Sequence, residues 1–143
     1  MSMSSFPPQP RAGLRIMIVD DNPDEFTLIE AGFRHHSCAV ILQTATIAHL
    51  ALVDFALCDL DLRPELALVD INMPAIDGFG LAGEFISHGL KTILMSTHVD
   101  AVRCERATAL GALALLKKPG TFAGYAEFAA RVMALTGRPL AVD

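Results

Sequence analysis

The sequence predicts an α/β protein built on a doubly wound, five-stranded parallel sheet with five helices. Apolar runs of strand length recur at Leu14–Val19, Cys38–Leu42, Leu66–Val69, Lys91–Met95 and Ala112–Leu116. They lack polar alternation, as strands buried on both faces do. Between them lie segments with helical spacing and cap residues, and strict strand–helix alternation implies right-handed βαβ units covered on both sides. Several of the runs also stop abruptly at carboxylates, hydroxyls or lysines, which puts polar groups beyond the carboxyl ends of strands, where open α/β sheets bind ligands.

With 143 residues the chain predicts one domain with a core that needs neither disulfide nor structural metal. We assign 1–13 as a flexible leader, 14–137 as the domain and 138–143 as a tail. The net charge of −5 supplies no basic face for phosphates and argues against direct nucleic-acid binding. Cys38, Cys58 and Cys104 form no C-x-x-C pair and read as reduced, buried small hydrophobes. The proline-containing leader lacks the apolar core of a secretion signal, and no run approaches the roughly 18 apolar residues of a membrane span, so a cytoplasmic protein is expected. The high apolar content, 52%, suggests a rich core together with a partner surface.

The first run ends at Asp20-Asp21. Asn22-Pro23-Asp24-Glu25 then opens a helix: Asn at the cap, Pro at the first helical position, acids in the first turn and Glu three residues after the cap. Phe26, Ile29 and Phe33 follow at helical spacing, and the helix is expected to end near His35-His36. After the second run, Thr44 or Thr46 is a candidate cap for a helix through about Leu57, closed by a loop from Asp59 to Pro64. A phosphatase-like reading of Asp59-Leu60-Asp61 lacks a preceding strand. The third run ends in Asp70, and Pro74, Asp77 and Gly78 force a loop; Asp before such residues is also ordinary turn chemistry. Leu81, Ala82, Phe85 and Ile86 share a face of the third helix, which Gly89 ends. The fourth run stops at Ser96-Thr97-His98. The fourth helix, Asp100 to Leu110, offers the small buried candidates Ala101, Cys104 and Ala107 and is expected to be weakly anchored; Gly111 ends it. The fifth run meets Lys117-Lys118-Pro119-Gly120, and Thr121 caps a last helix ending at Thr136-Gly137.

Asp20-Asp21, Asp70, Ser96-Thr97 and Lys118 thus fall after strands one, three, four and five. Each has a bland explanation, such as capping for Asp20 and Ser96 or a solvated charge for Lys118, but the fold brings all of them to one edge. Carboxylates gathered there repel one another unless a divalent cation bridges them, and an all-oxygen site with few protein ligands suits Mg²⁺. A hydroxyl and a lysine opposite complete a cradle for an anionic group.

With these residues the chain resembles the receiver domains of two-component response regulators over about 14–137, and among them the stand-alone, chemotaxis-regulator-like members. The matching residues are Asp20-Asp21, Asp70 in Val-Asp-Ile-Asn-Met-Pro with Asp77-Gly78 following, Ser96, and Lys118-Pro119. The resemblance implies a flavodoxin-like sheet of strand order 2-1-3-4-5. It implies that Asp70 takes a phosphoryl group from a histidine kinase or histidine phosphotransfer protein. Asp21, Asp70 and the backbone carbonyl of Asn72 are then direct Mg²⁺ ligands, and Asp20 acts through a bound water. Ser96 hydrogen-bonds the phosphoryl oxygens, and Lys118 pairs with the developing charge. Such a protein is a timed switch rather than a turnover enzyme, because an acyl phosphate hydrolyses by itself. A downstream effector protein is the implied output partner.

Two positions depart from the pattern. Leu115 stands where members usually carry an aromatic residue, and Thr97 is larger than the usual Ala or Gly, so Leu115 and Thr97 are the switch positions to watch. Asn72 and His98 overhang the site by this mapping and are expected to set the lifetime of the phosphorylated state. On the last helix Tyr125, Phe128, Ala129, Val132 and Leu135 form one apolar stripe, with Phe122, Ala126 and Met133 beside it; the surplus is either extra core or a surface for a partner or homodimer on the face of the fourth and last helices. Asp24, Glu25 and Phe26 form either a kinase-docking face or a solvated helix start. The competing functions are an interaction module independent of phosphorylation and a small Mg²⁺-dependent phosphatase, for which no general acid is evident.

Overall fold

The computed structural model describes residues 14–36, 40–45, 64–74 and 77–137. In chain order the elements are β1 (Leu14–Val19), α1 (Asp24–His35), β2 (Val40–Ala45), β3 (Leu66–Asp70), α2 (Gly78–Ser87), β4 (Lys91–Ser96), α3 (Ala101–Leu110), β5 (Ala114–Lys117) and α4 (Gly124–Thr136). The strands form one parallel sheet in the order β2-β1-β3-β4-β5. Four helices lie among the described residues. The helix expected up to Leu57, the loop residues Asp59 and Asp61, Cys38, Cys58, the leader and the tail lie outside them. Thr44 belongs to β2, opposite Ile18, which rules it out as a helix cap; a β-branched residue suits a strand as well as a cap.

The sheet separates two apolar layers. Leu14, Ile16 and Ile18 of β1, Leu66 and Leu68 of β3, Ile93 and Met95 of β4 and Leu116 of β5 pack with Ile29 and Phe33 of α1 and with α4. Their neighbours Met17, Val19, Ala67, Val69, Leu94 and Leu115 point the other way, to Phe79, Leu81, Ala82 and Phe85 of α2 and Ala107 of α3. The period of two is present in β1, β3, β4 and β5 but nearly invisible as polarity, because both faces of these strands are covered.

Several expectations on the helices need correction. In α4 the buried residues are Tyr125, Phe128, Ala129, Val132 and Met133, whereas Leu135 is 37% exposed; Met133, one helical step past Ala129, takes the place expected for Leu135. In α3 only Ala107 is buried, while Ala101 is exposed and Cys104 half-buried. Asp100 caps α3 by accepting the Arg103 N–H at 2.8 Å. Ala112 is not in β5, because its N–H closes the end of α3 on the Ala107 carbonyl at 3.1 Å. Among the described residues no helix is long and apolar enough to cross a membrane.

Candidate functional site

Register builds the site. Val19 pairs with Val69, so the next residues, Asp20 and Asp70, emerge side by side; Asp70 pairs with Met95, which puts Ser96 one step beyond; and Ser96 pairs with Lys117, which delivers Lys118. Two backbone bonds continue the ladder past the strand ends, Ile71 N–H to Met95 O at 2.9 Å and Lys118 N–H to Ser96 O at 2.8 Å. A cavity of about 490 Å³ opens there, lined by Asp20, Asp21, Asp70, Asn72, Thr97 and Lys118 among others.

Lys118 is the centre of the charge arrangement. Its Nζ donates to Asp20 Oδ2 at 2.7 Å and to Asp70 Oδ2 at 3.0 Å. Asp20 is fully buried and Asp70 is 2% exposed. The repulsion expected to require a divalent cation is therefore already offset for these two by one ammonium. Each carboxylate also accepts the N–H two residues on: Asn22 on Asp20 Oδ1 at 2.9 Å and Asn72 on Asp70 Oδ1 at 2.8 Å. These turns leave Asp70 with both oxygens oriented.

Burial, reinforced by the neighbouring Asp70 charge, pushes the Asp20 carboxyl up to about 6, against the pull of Lys118 and of the Asn22 N–H. Burial draws the Lys118 ammonium down, but its bonds to Asp20 and Asp70 outweigh this and leave it raised, so it stays charged.

Asp21 is exposed at the rim, yet one carboxylate oxygen from each of Asp20, Asp21 and Asp70 lies within 4.8 Å of the others. Hard oxygen donors gathered in this way are the kind of donor set that Mg²⁺ takes, since it uses few protein carboxylates directly and keeps several waters that reach the others. The donor set passes the test that the implied cation sets.

Ser96 is fully buried behind Asn72. Its hydroxyl proton has two acceptors in reach, His98 O at 2.6 Å and Asn72 Oδ1 at 2.9 Å, and its oxygen accepts the His98 N–H at 3.0 Å. Asn72 Oδ1 also accepts the Thr97 N–H at 2.9 Å. A backbone N–H can only donate, so the network assigns the carbonyl end of the Asn72 amide to this contact. Sequence reasoning placed Asn72 at the rim but missed that its side chain ties the loop after β3 to the loop after β4. Thr97 is exposed. Leu115 is not brought to the cavity: it is buried in the layer beneath α2 and α3.

At the start of α1, Asn22 Oδ1 accepts the Asp24 N–H at 3.0 Å, but the helix begins one residue later than expected, at Asp24, with Pro23 rather than Asn22 in the cap position. Glu25, in contrast, makes no capping box. It is buried, and its carboxylate takes the Tyr125 hydroxyl of α4 at 2.8 and 2.9 Å. That removes Glu25 from the candidate docking face and leaves Asp24 exposed there, with Phe26 packed against the core. At the other end of α1, His36 Nε2 donates to Ala126 O at 2.7 Å.

Residues 16–126 match the family model of the response regulator receiver domain. The chain is 30% identical over 120 residues, 83% of its length, to the two-component response regulator ORR26 of Oryza sativa subsp. japonica, of which this covers 19%. It is 34% identical over 112 residues, 73% of its length, to the regulatory protein AtoC of Escherichia coli, of which this covers 22%. The chain thus spans about a fifth of the length of these curated relatives. Among solved structures, a response regulator receiver protein from Burkholderia phymatum superposes with a TM-score of 0.71 at 24% identity, covering 90% of this chain and 98% of that one. The phosphorylated cyanobacterial phytochrome response regulator RcpA gives 0.75 at 18% identity, covering 92% and 100%. The paired carboxylates, the strand-end Asp70 and the Lys118 bridge lie within the matched span, and the chain belongs to the response regulator receiver domain family, whose part in two-component signalling is that of phosphoacceptor.

Proposed function

We propose that Asp70 is the residue phosphorylated, that the donor is a histidine kinase or histidine phosphotransfer protein, and that transfer requires Mg²⁺. The observation that supports this most is the Lys118 bridge: Asp70 Oδ2 lies 3.0 Å from an ammonium at the floor of a cavity that also holds Asp20 and Asp21. Phosphoryl transfer asks the protein mainly for alignment and charge neutralisation. Asp70, turned by the Asn72 N–H and Lys118, attacks phosphorus while the donor imidazole departs, and the product is a mixed anhydride on Asp70. Lys118 follows the charge onto the phosphoryl oxygens. Ser96 and the Thr97 N–H supply hydrogen bonds to those oxygens once the Asn72 amide releases them. Asp21, Asp70 and the Asn72 carbonyl are the direct ligands for Mg²⁺, with Asp20 acting through water; the ion, when bound, neutralises phosphoryl charge.

Water then cleaves the anhydride and returns Asp70 and inorganic phosphate, so the protein is a timed switch and not a turnover enzyme. Output is by binding of an effector protein on the face of α3 and α4, where Val102 is 73% exposed and where a homodimer contact also belongs. The test is mass spectrometry after incubation with a small phosphodonor, with and without Mg²⁺, wild type beside Asp70→Asn. A base-labile phosphate that needs both Mg²⁺ and Asp70 is expected. No phosphate at all indicates an interaction module independent of phosphorylation, and continuous turnover of the donor without a phosphorylated protein indicates a phosphatase.

A further inference from the structure

The cavity that holds Asp20, Asp21 and Asp70 is lined by a fourth carboxylate, Glu25. Glu25 is 9% exposed, and among the described residues its one hydrogen-bond donor is the Tyr125 phenol, in reach of both oxygens at 2.9 and 2.8 Å. A phenol has a single proton to give, whereas a carboxylate accepts at about four positions. Most of the acceptor capacity of a buried anion is thus left over beside the acidic cluster, an arrangement that costs stability unless further donors reach it. Tyr125 is itself fixed. It is 5% exposed, and α1 approaches its backbone so closely that a Cβ on Gly32 would lie 2.2 Å from the Tyr125 carbonyl oxygen. Burial and the Glu25 charge hold the phenol's pKa raised, so it remains a donor.

We propose that Glu25 is an outer carboxylate of the cation site, positioned by Tyr125 to accept hydrogen bonds from water molecules on a cation held by Asp21 and Asp70, so that the chain's single tyrosine senses whether the site is filled. This deepens, and rests on, the reading that the acidic cluster takes Mg²⁺. Mg²⁺ dehydrates reluctantly and is held through one or two carboxylates, so most of its shell is water. Water polarised by the ion forms strong bonds to carboxylates one layer out, and such partners orient and tune a metal site. Glu25 adds negative charge there without adding a direct ligand. Tyr125 is a positioning residue that keeps Glu25 at that distance.

The chain has one Tyr and no Trp, so tyrosine emission reports on this phenol alone. The experiment titrates MgCl₂ into the wild type, Glu25→Gln and Tyr125→Phe by calorimetry, follows tyrosine emission of the first two, and uses thermal melts as the fold control. Glu25→Gln is expected to raise the Mg²⁺ dissociation constant about tenfold, and Tyr125→Phe to raise it by less. Wild-type emission is expected to change saturably with the calorimetric midpoint, and the emission of Glu25→Gln to stay flat over that range. If the wild type binds Mg²⁺ and both variants bind it equally tightly, or if its emission ignores a binding event that calorimetry sees, the inference is overturned while the Mg²⁺ reading stands. If the wild type binds no Mg²⁺, both fall. Should Glu25→Gln fail to fold, the near-isosteric Tyr125→Phe decides the affinity question by itself.

Discussion

The Lys118 ammonium and the Asp20 carboxylate meet at 2.7 Å although 98 positions apart in the chain. The Asp20 side chain is fully buried and that of Lys118 is 9% exposed. Asp70 shares the same ammonium. Removing one member of a buried ionic group leaves the others uncompensated, which typically costs about 3–5 kcal/mol. Lys118→Met is therefore expected to lower the urea midpoint strongly, and saturating Mg²⁺ to restore part of the loss by binding only the folded state. Equal midpoints for Lys118→Met and wild type without Mg²⁺ would show that the bridge does not hold in solution.

Asp20 sets a pH dependence whose sign follows from its shift. An ordinary aspartate loses its proton near 3.8, whereas buried Asp20 holds it to about 6. The folded protein therefore binds more protons than the unfolded chain between these values. The stability that Asp20 contributes is complete below the lower value and is lost as pH rises through the upper one. A shift of this size is worth about 2–3 kcal/mol. Without Mg²⁺, wild-type stability relative to Asp20→Asn is expected to fall from about pH 4 to about pH 7, as read from urea denaturation in a chelating buffer. Apparent Mg²⁺ affinity is expected to rise across the same window, since a protonated Asp20 cannot help to draw the ion. A stability difference between the two proteins that stays constant with pH would refute the shift.

How far the site was legible in the sequence depends on how local each signal is. Leu14–Val19 and Leu66–Asp70 announced themselves because parallel strands buried on both faces are continuous apolar runs, and such runs end where polar residues begin. Once those ends and the end of the fifth run were known, the strand–helix alternation brought Asp20, Asp21, Asp70 and Lys118 to one edge. Glu25 did not. Its position three residues after Asn22 has the spacing of a capping box, and nothing nearby reveals a phenol 100 positions away that offers it a better partner. The Asn72 amide escaped for a similar reason: its partners, Ser96 and Thr97, lie across the sheet. Leu135 and Met133 were exchanged because both are apolar, and only the angle at which α4 meets the sheet chooses between them.

Asn72 now carries a kinetic expectation. Its Oδ1 occupies the Thr97 N–H and one of the two places open to the Ser96 proton, the same donors that are proposed to serve the phosphoryl oxygens. Displacing the amide costs hydrogen bonding of about 1 kcal/mol net. Asn72→Ala is expected to speed phosphorylation by a small phosphodonor about fivefold, that energy expressed as a rate. Removal of the overhanging amide, or of the exposed His98 ring, is also expected to change the lifetime of the phosphorylated state. Stopped-flow transfer and phosphate-release rates check both; rates unaltered in Asn72→Ala and His98→Ala would remove these residues from the mechanism.

Gly32 tests the contact on which the placement of Tyr125 depends. Alanine is favoured over glycine inside a helix by about 1 kcal/mol, so a helical Gly→Ala change stabilises wherever a methyl has room. Gly83 in α2 has that room, since a Cβ there meets only the Leu110 Cδ1 at 3.4 Å. At Gly32 the Cβ would lie 2.2 Å from the Tyr125 carbonyl oxygen and 2.8 Å from its carbonyl carbon. Backbone in α4 cannot swing aside as a side-chain tip can, so α1 and α4 must separate. Overpacking of this kind costs about 1–3 kcal/mol, and more where backbone is struck. Gly32→Ala is therefore expected to be destabilised by about 3 kcal/mol or more, with the Glu25–Tyr125 bond pulled apart and the Mg²⁺-dependent tyrosine signal lost, while Gly83→Ala is neutral or more stable. A Gly32→Ala protein as stable as Gly83→Ala would mean that the two helices do not touch backbone to backbone, and Tyr125 would lose the support that aims it at Glu25.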